Sequence, residues 1–255
     1  MVPISRIQRE SNVYFGYERI PASEKPLRVQ EHFSSVARRY DLMNTVLSLG
    51  IHHLWKGAAV EMMDLRPGEE VLDACAGTGD LAARAARAVG STGRVVLLDF
   101  NEAMLEAGRR KPELIRPGAP LQFVRGDAQA LPFRDGAFNA VMIGFGIRNL
   151  THMDAGLREL FRVTASGGRM MCLEFSWPEA SWLGKLYDFY SLRVMPFLGE
   201  VLAGNRQGYR HLPESIRTFE PPYVLRKAMQ KAGFRMATSR RFTKGIAALH
   251  LARKD

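Results

Sequence analysis

A glycine-rich loop, two carboxylates beyond it and an Arg-Asn pair are the residues whose types and spacing could do chemistry in this chain. The loop is VLDACAGTGD at residues 71–80. Gly77 and Gly79 permit a left-handed backbone and close approach of main chain to a ligand. With Ala82 they match the loose pattern G-x-G-x-x-G/A of dinucleotide sites, which ordinary turns also satisfy. Asp99 ends the apolar run LLDF about 20 residues on, where an acid can accept hydrogen bonds from both hydroxyls of a ribose. Asp127, followed by Ala128, closes the next apolar run and can accept from an adenine amino group, with Phe100 and Met104 placed to pack on the ring. Two strand-end carboxylates facing one nucleoside suggest a cofactor without a pyrophosphate to repel. The competing reading of both acids is helix capping. Asp73 is a further candidate contact, and Cys75 fits a small packing residue better than a nucleophile.

Arg148 and Asn149 follow the apolar run FNAVMIG and a short FGI, so they should reach the same end of the sheet as the loop. Arg148 there can hold a phenolate or an ordered water, or can instead pair with a nearby acid such as Glu174. Tyr40, Asp41 and Asn44 fall within about one helical turn and can share a face over a pocket, although Asp41 by itself reads as a helix cap. The His52–His53 pair has no acidic or Cys partner at ligand spacing, and no metal is expected.

The elements that must position these residues are legible from periodicity. From Glu70 onward short apolar runs (EVLDAC, RVVLLDF, LQFVRGDA, FNAVMIG, GRMMCLEF) alternate with helical segments such as DLAARAARAV and DAGLRELFRV. Buried parallel strands read this way, and the alternation predicts an α/β, doubly wound sheet. FRMATSRRFTKGIAALHLA predicts a closing hairpin. Residues 1–26 read as an arm, and 27–255 as one domain in which 27–66 supply two helices. Residues 176–219, aromatic and broken by Pro178, Pro196 and Pro213, read as helices inserted over the site. Tyr187, Phe189, Tyr190 and Phe197 in that insertion suit either a helical core or an apolar groove.

Composition narrows the function classes. A hydrophobic share of 46% with 24% charged residues is that of a globular protein. The net charge of +10 favours anionic partners, yet the basic residues are dispersed and no stacking motif appears, so no nucleic-acid partner is expected. Two cysteines, Cys75 and Cys172, make no disulfide framework, and the start MVPISRIQRE lacks the apolar core of a signal peptide. No apolar run is long enough to span a bilayer. The expectation is a cytoplasmic protein whose membrane contact, if any, is peripheral to an anionic surface. Assembly into a homo-oligomer is left open.

The chain resembles the ubiquinone/menaquinone biosynthesis C-methyltransferases from about Phe15 to His250. The resemblance rests on FGYERIP, FSSVARRYDLMN, LGIHHLWK, VLDACAGTGD, ALPF, FGIRNL, GGRMMCLEFS, ESI and GIAALH, of which FGIRN and YDLMN are far more specific than the glycine loop. It implies a Rossmann-like class I methyltransferase with a mostly parallel seven-stranded sheet, S-adenosyl-L-methionine as cofactor and a lipophilic quinol as methyl acceptor. It also implies cofactor contacts at Thr78, Asp99, Asp127 and Ala128, and a functional side to Arg148, Asn149, Tyr40 and Asp41. Two positions depart from the family pattern. Gly144 stands where a Ser is frequent, leaving only backbone there, and His211 stands where a Tyr is usual.

Overall fold

The computed structural model describes residues 11–115, 118–178 and 181–255. Strands β1 (Asn12–Phe15) and β2 (Glu18–Pro21) form a hairpin, followed by helices α1 (Lys25–Val36), α2 (Tyr40–Leu47) and α3 (Ile51–Met62). The alternating part runs β3 (Glu70–Ala74), α4 (Asp80–Val89), β4 (Arg94–Asp99), α5 (Glu102–Arg109), the single turn α6 (Pro112–Ile115) and β5 (Leu121–Arg125). It continues through β6 (Phe138–Gly144), α7 (Met153–Val163) and β7 (Thr164–Phe175). Helices α8 (Ser181–Phe189), α9 (Met195–Ala203) and α10 (Arg206–Thr218) come next, then α11 (Pro222–Lys231) and strands β8 (Arg235–Phe242) and β9 (Ala247–Arg253).

Seven strands make one sheet in the order β5-β4-β3-β6-β7-β9-β8. Neighbours are parallel from β5 to β7, and β9 runs antiparallel to both β7 and β8. The expected mostly parallel sheet with a C-terminal antiparallel hairpin is therefore present. Helices cover both faces, which is why β4 reads as an unbroken apolar run. Its Val95 and Leu97 pack with Leu81, Ala82 and Ala85 of α4, whereas Val96 and Leu98 pack with Leu157 and Leu160 of α7. On α4, Leu81, Ala82, Ala85, Ala86 and Val89 are buried, one face at helical spacing.

Two segments differ from the periodic reading. The described part of the arm is an ordered hairpin whose turn places Gly16 at a φ of 59°; strands of four residues are too short to show alternation. The segment LRVQEHFSSVARRYDLMN is not one helix but breaks into a 3-10 turn at Ala37–Arg39. Tertiary contact favours the break: the Arg39 guanidinium donates to the carbonyl of Leu202 in the last turn of α9, where carbonyls lack intrahelical partners. Between α8 and α9 the chain widens into a π-turn at Tyr190–Val194. Pro196, just beyond it, has no N–H to give to the Leu192 carbonyl, so regular α-helical bonding cannot run through.

Strand order reverses between β3 and β6, and ligands in open α/β sheets bind outside the carboxyl ends of the strands at such a point. Each of these strands is followed there by a residue with left-handed backbone, Cys75 with φ of 55° and Phe145 with φ of 57°. Non-glycine residues held so cost about 1–3 kcal/mol each and gather at functional sites.

Candidate active site

Above that crevice the glycine loop turns from β3 into α4. Gly77 has a φ of 57° and donates its N–H to Asp99 Oδ2 over 2.7 Å, while Asp99 Oδ1 accepts from Asn101 N at 2.8 Å. Gly79 serves α4 as N-cap with a φ of 82°, and a Cβ there would come within 2.7 Å of both Leu97 and Leu114. Asp99 is thus bound to the loop it faces, with lone pairs left on both oxygens. Burial raises the pKa of its carboxyl above the usual carboxylate range, opposed by the hydrogen bonds from Asn101 and Gly77.

Asp99, Phe100, Met104, Asp127, Gly77 and Gly144 share the walls of one narrow cavity with Asn149, Tyr40 and Phe33. Asp127 is braced by Gln129, whose backbone N–H reaches Oδ1 at 2.8 Å and whose side-chain amide reaches both oxygens. Neither acid caps a helix, since Asn101 is the N-cap of α5 and no helix begins directly after Asp127; each instead accepts loop N–H groups while lining the cavity, and an N–H used on one lone pair leaves the others available.

A larger cavity of about 580 Å³ adjoins it and shares Phe33, Tyr40, Cys75, Gly77, Gly144, Phe145 and Asn149 as wall residues. Asp73, Thr78 and Arg148 line it from the sheet side, and Leu183, Leu186, Tyr187, Tyr190, Met195, Tyr209 and Leu212 line it from α8, the π-turn, α9 and α10. Residues of the 176–219 segment thus cover the crevice with apolar and aromatic side chains. Phe189 and Phe197, paired in the sequence with Tyr187 and Tyr190, face outward instead, at 64% and 56% exposed.

Arg148 occupies the short 3-10 turn Ile147–Asn149 that follows β6. Its Nη1 meets Glu174 Oε1 at 2.7 Å and also donates to the Phe145 carbonyl, and its Nε donates to Ser215 Oγ at 3.3 Å. The guanidinium lies over the Phe175 ring, 5.3 Å from its centroid. The ion pair named as the alternative reading is thus formed, and both partners are buried. Burial pushes the Glu174 carboxyl up, with Arg148 opposing. The Tyr40 hydroxyl is pushed up to about 12, mainly by burial.

Three residues expected at the site are not among those that line the cavities. Asp41 lines neither cavity: its Oδ1 accepts from Thr78 Oγ1 at 2.6 Å and its Oδ2 pairs with Lys111 at 3.1 Å. It braces the outside of the loop. The side chain of Ala128 is buried in the core cluster that holds Leu157 and Leu160. Gly79 shapes the turn from behind and lines neither cavity.

Other residues had no expected role. Asn101 accepts from Met104 N at 3.1 Å, capping α5, and its amide donates to the Gln30 carbonyl and Ser34 Oγ, tying α1 over the nucleoside end. An Asn three residues before a helical Met is a cap signature legible in sequence. Lys56 and Lys111 both pair with Asp80 and hold its carboxyl below the usual range despite burial. His52 and His53, without an acidic partner by spacing, acquire one in space: Asp80 offers an oxygen within 4.8 Å of their ring nitrogens. That carboxylate is already engaged by the two lysines.

Comparison with known proteins supplies the family. The model of the ubiE/COQ5 methyltransferase family matches residues 22–254. The ubiquinone/menaquinone biosynthesis C-methyltransferase UbiE of Pseudomonas putida is 46% identical over 243 residues, covering 94% of each chain. That of Pseudomonas aeruginosa is 45% identical with the same coverage. Among solved structures, a SAM-dependent methyltransferase from Thermotoga maritima aligns with a TM-score of 0.60 at 17% identity, covering 89% of this chain and 99% of that one. The cyclase SpnF aligns with a TM-score of 0.62 at 16% identity, covering 89% and 94%, so the fold alone does not choose the reaction. With a family match over almost the whole described chain and relatives near half identical, the protein belongs to the ubiE/COQ5 methyltransferase family.

Proposed function

We propose that this protein transfers a methyl group from S-adenosyl-L-methionine to a ring carbon of a polyprenylated quinol in respiratory quinone biosynthesis. The observation that carries the reading is the pair of adjoining cavities: a nucleoside-sized cleft with acids at the ends of β4 and β5, and a larger apolar chamber sharing its walls. Pockets of about 300–1,000 Å³ suit ligands of this size.

The residues present fit the cofactor. Asp73 Oδ1 is buried without a hydrogen-bond partner on the chamber wall, as an ammonium group would require. Asp99 would hold the ribose hydroxyls, Asp127 the adenine amino group, Met104 and Phe100 the ring faces, and the Gly77–Thr78 backbone the remainder. When bound, the cofactor supplies an electrophilic methyl group on a sulfonium. The chain's own part is to hold the acceptor ring in line and tolerate the charge that develops on its oxygen. Arg148, fixed by Glu174, Ser215 and the Phe145 carbonyl, presents its cationic edge to the chamber beside Asn149 and Tyr40. Asp41 acts one step away, by holding Thr78.

A lipid-tailed substrate implies a meeting with the bilayer. No helix among the described residues is long and apolar enough to cross a membrane. Along α8 and α9, however, Trp182, Phe189, Phe197 and Val201 line no part of the chamber and face outward, all more than half exposed. We infer that this stripe, flanked by Lys185 and Arg193, seats on an anionic membrane surface, where basic residues are attracted and apolar ones insert. Vesicles containing anionic lipid are expected to retain the protein at low salt, and Trp182→Ser with Phe189→Ser to release it. Equal retention of wild type and double variant would remove this face from the contact.

The reading itself is tested by quinone mass spectrometry of cells with and without the protein. Loss should accumulate a quinone lighter by one ring methyl, restored by the wild-type chain. An unchanged quinone pool would refute the substrate class.

A further inference from the structure

Among the described residues, four buried side-chain polar atoms lack a hydrogen-bond partner: His52 Nε2, Asp73 Oδ1, Arg169 Nε and Tyr209 Oη. Folded interiors leave few such atoms. Three of the four belong to residues lining the one chamber. The proposed cofactor accounts for Asp73 and leaves His52 and Tyr209, of which only His52 can offer a basic ring nitrogen.

The hydrogen positions at His52 follow from two short contacts. Ser48 Oγ lies 2.6 Å from the Asn44 carbonyl oxygen and 2.6 Å from His52 Nδ1. Contacts this short each need a hydrogen between the atoms. The hydroxyl owns one and the carbonyl none, so the second sits on His52 Nδ1. Nε2 of the neutral ring then carries a lone pair. Burial, Lys56, His53 and Arg84 keep the ring neutral, bringing its pKa down to about 3 against the opposing effect of Asp80. A ring nitrogen of His52 lies within 4.8 Å of an Asp80 carboxylate oxygen, which sets the imidazole beside the glycine loop.

We propose that His52 Nε2 is the acceptor for a ring hydroxyl of the methyl acceptor, orienting the ring and taking the hydroxyl proton as the ring carbon attacks. The proposal rests on the quinol reading above. As the proton moves to Nε2, the O–H electron pair feeds into the ring and the ring carbon forms its new bond to the methyl group. The electron pair of the carbon–sulfur bond stays with sulfur. Loss of the remaining proton from the methylated carbon to water, and return of the His52 proton to the oxygen, restore the aromatic quinol. One proton is released per methyl transferred. A base of such low basicity accepts charge only while the ring's electrons are moving, when the hydroxyl is most acidic. Its neutrality between turnovers spares an apolar chamber a buried charge.

His52→Asn keeps an amide N–H toward Ser48 and removes Nε2. With a short-chain prenylated hydroquinone lacking the ring methyl as probe, its single-turnover rate should fall on the order of 10²-fold, with cofactor affinity by calorimetry unchanged. The loss should shrink as pH rises toward the hydroxyl's own pKa, because the substrate then ionises unaided. His52→Ala should regain rate when free imidazole is added, a response that a merely structural role would not give. A wild-type rate in His52→Asn, or a loss that is the same at every pH and deaf to imidazole, overturns the proposal. If the wild-type protein itself leaves the hydroquinone unmethylated, it is the underlying reading that fails.

Discussion

Glu174→Ala is expected to lower the free energy of unfolding by about 3–5 kcal/mol, because it strands a buried guanidinium. Arg148 and Glu174 expose only 7% and 1% of their side chains and meet at 2.7 Å, so solvent cannot replace the lost carboxylate. Glu174 also accepts from Phe175 N at 2.8 Å and Arg148 N at 3.3 Å, and those donors lose their partner too. A domain of this length shifts its Tm by roughly 2–4 °C per kcal/mol, so thermal denaturation should show a drop on the order of 10 °C. Arg148→Met combined with Glu174→Leu should recover most of that stability, since apolar pairs of similar volume often replace buried ion pairs without loss. The double variant should nevertheless stay inactive. Arg148→Lys separates the two roles further: it keeps the charge but not the planar fork that reaches Glu174, Ser215 and the Phe145 carbonyl together. If Arg148 positions the acceptor, this variant loses rate by on the order of 10²-fold, the scale of a small misplacement at a reacting centre. Full rate in a folded Arg148→Lys protein would assign the residue to folding alone.

Asp99→Ala should weaken S-adenosyl-L-methionine binding by about 1.5–3 kcal/mol, the range for hydrogen bonds to a charged group. The loss has two parts, because Asp99 both faces the nucleoside cleft and holds the Gly77 and Asn101 N–H groups that shape it. Asp99→Asn keeps one acceptor oxygen and should lie between the two, and calorimetry on folded variants reads both. Asp73 adds a pH dependence to the same measurement. Burial raises its carboxyl to about 8, so at neutral pH without ligand it is mostly protonated. A raised carboxyl stabilises the fold fully below the ordinary carboxylate pKa, and that contribution is lost as pH rises through about 8. A bound cation reverses the preference and expels the proton. Binding heats measured below pH 8 in buffers of different ionisation enthalpy should therefore report proton release, which Asp73→Asn abolishes. Identical heats in all buffers would take Asp73 away from the ammonium group.

Where residues belonged to one local pattern, the chain determined them by itself. The buried runs of β3, β4 and β6 and the apolar face of α4 are repeats of period two or 3.6 or unbroken burial, and each announces its element within a few residues. Position within such an element also located the glycine loop and the acids Asp99 and Asp127, since strand ends and the following turns are fixed by the same periodicity. The hairpin at Asn12–Pro21 escaped because four-residue strands carry too little pattern. What no local pattern contains is which side chains meet across elements. Arg148 with Glu174, Asp41 with Thr78 and Lys111, and His52 beside Asp80 are pairings between segments 26 to 70 residues apart, decided by strand register and by how α2, α3 and α4 pack against one another. Packing likewise put Ala128 in the core cluster with α7 and left Nε2 of His52, on α3, without a hydrogen-bond partner. A sequence fixes each residue's chemistry and its element; only tertiary packing decides how much of its hydrogen-bonding capacity is spent on neighbours and how much remains for a ligand.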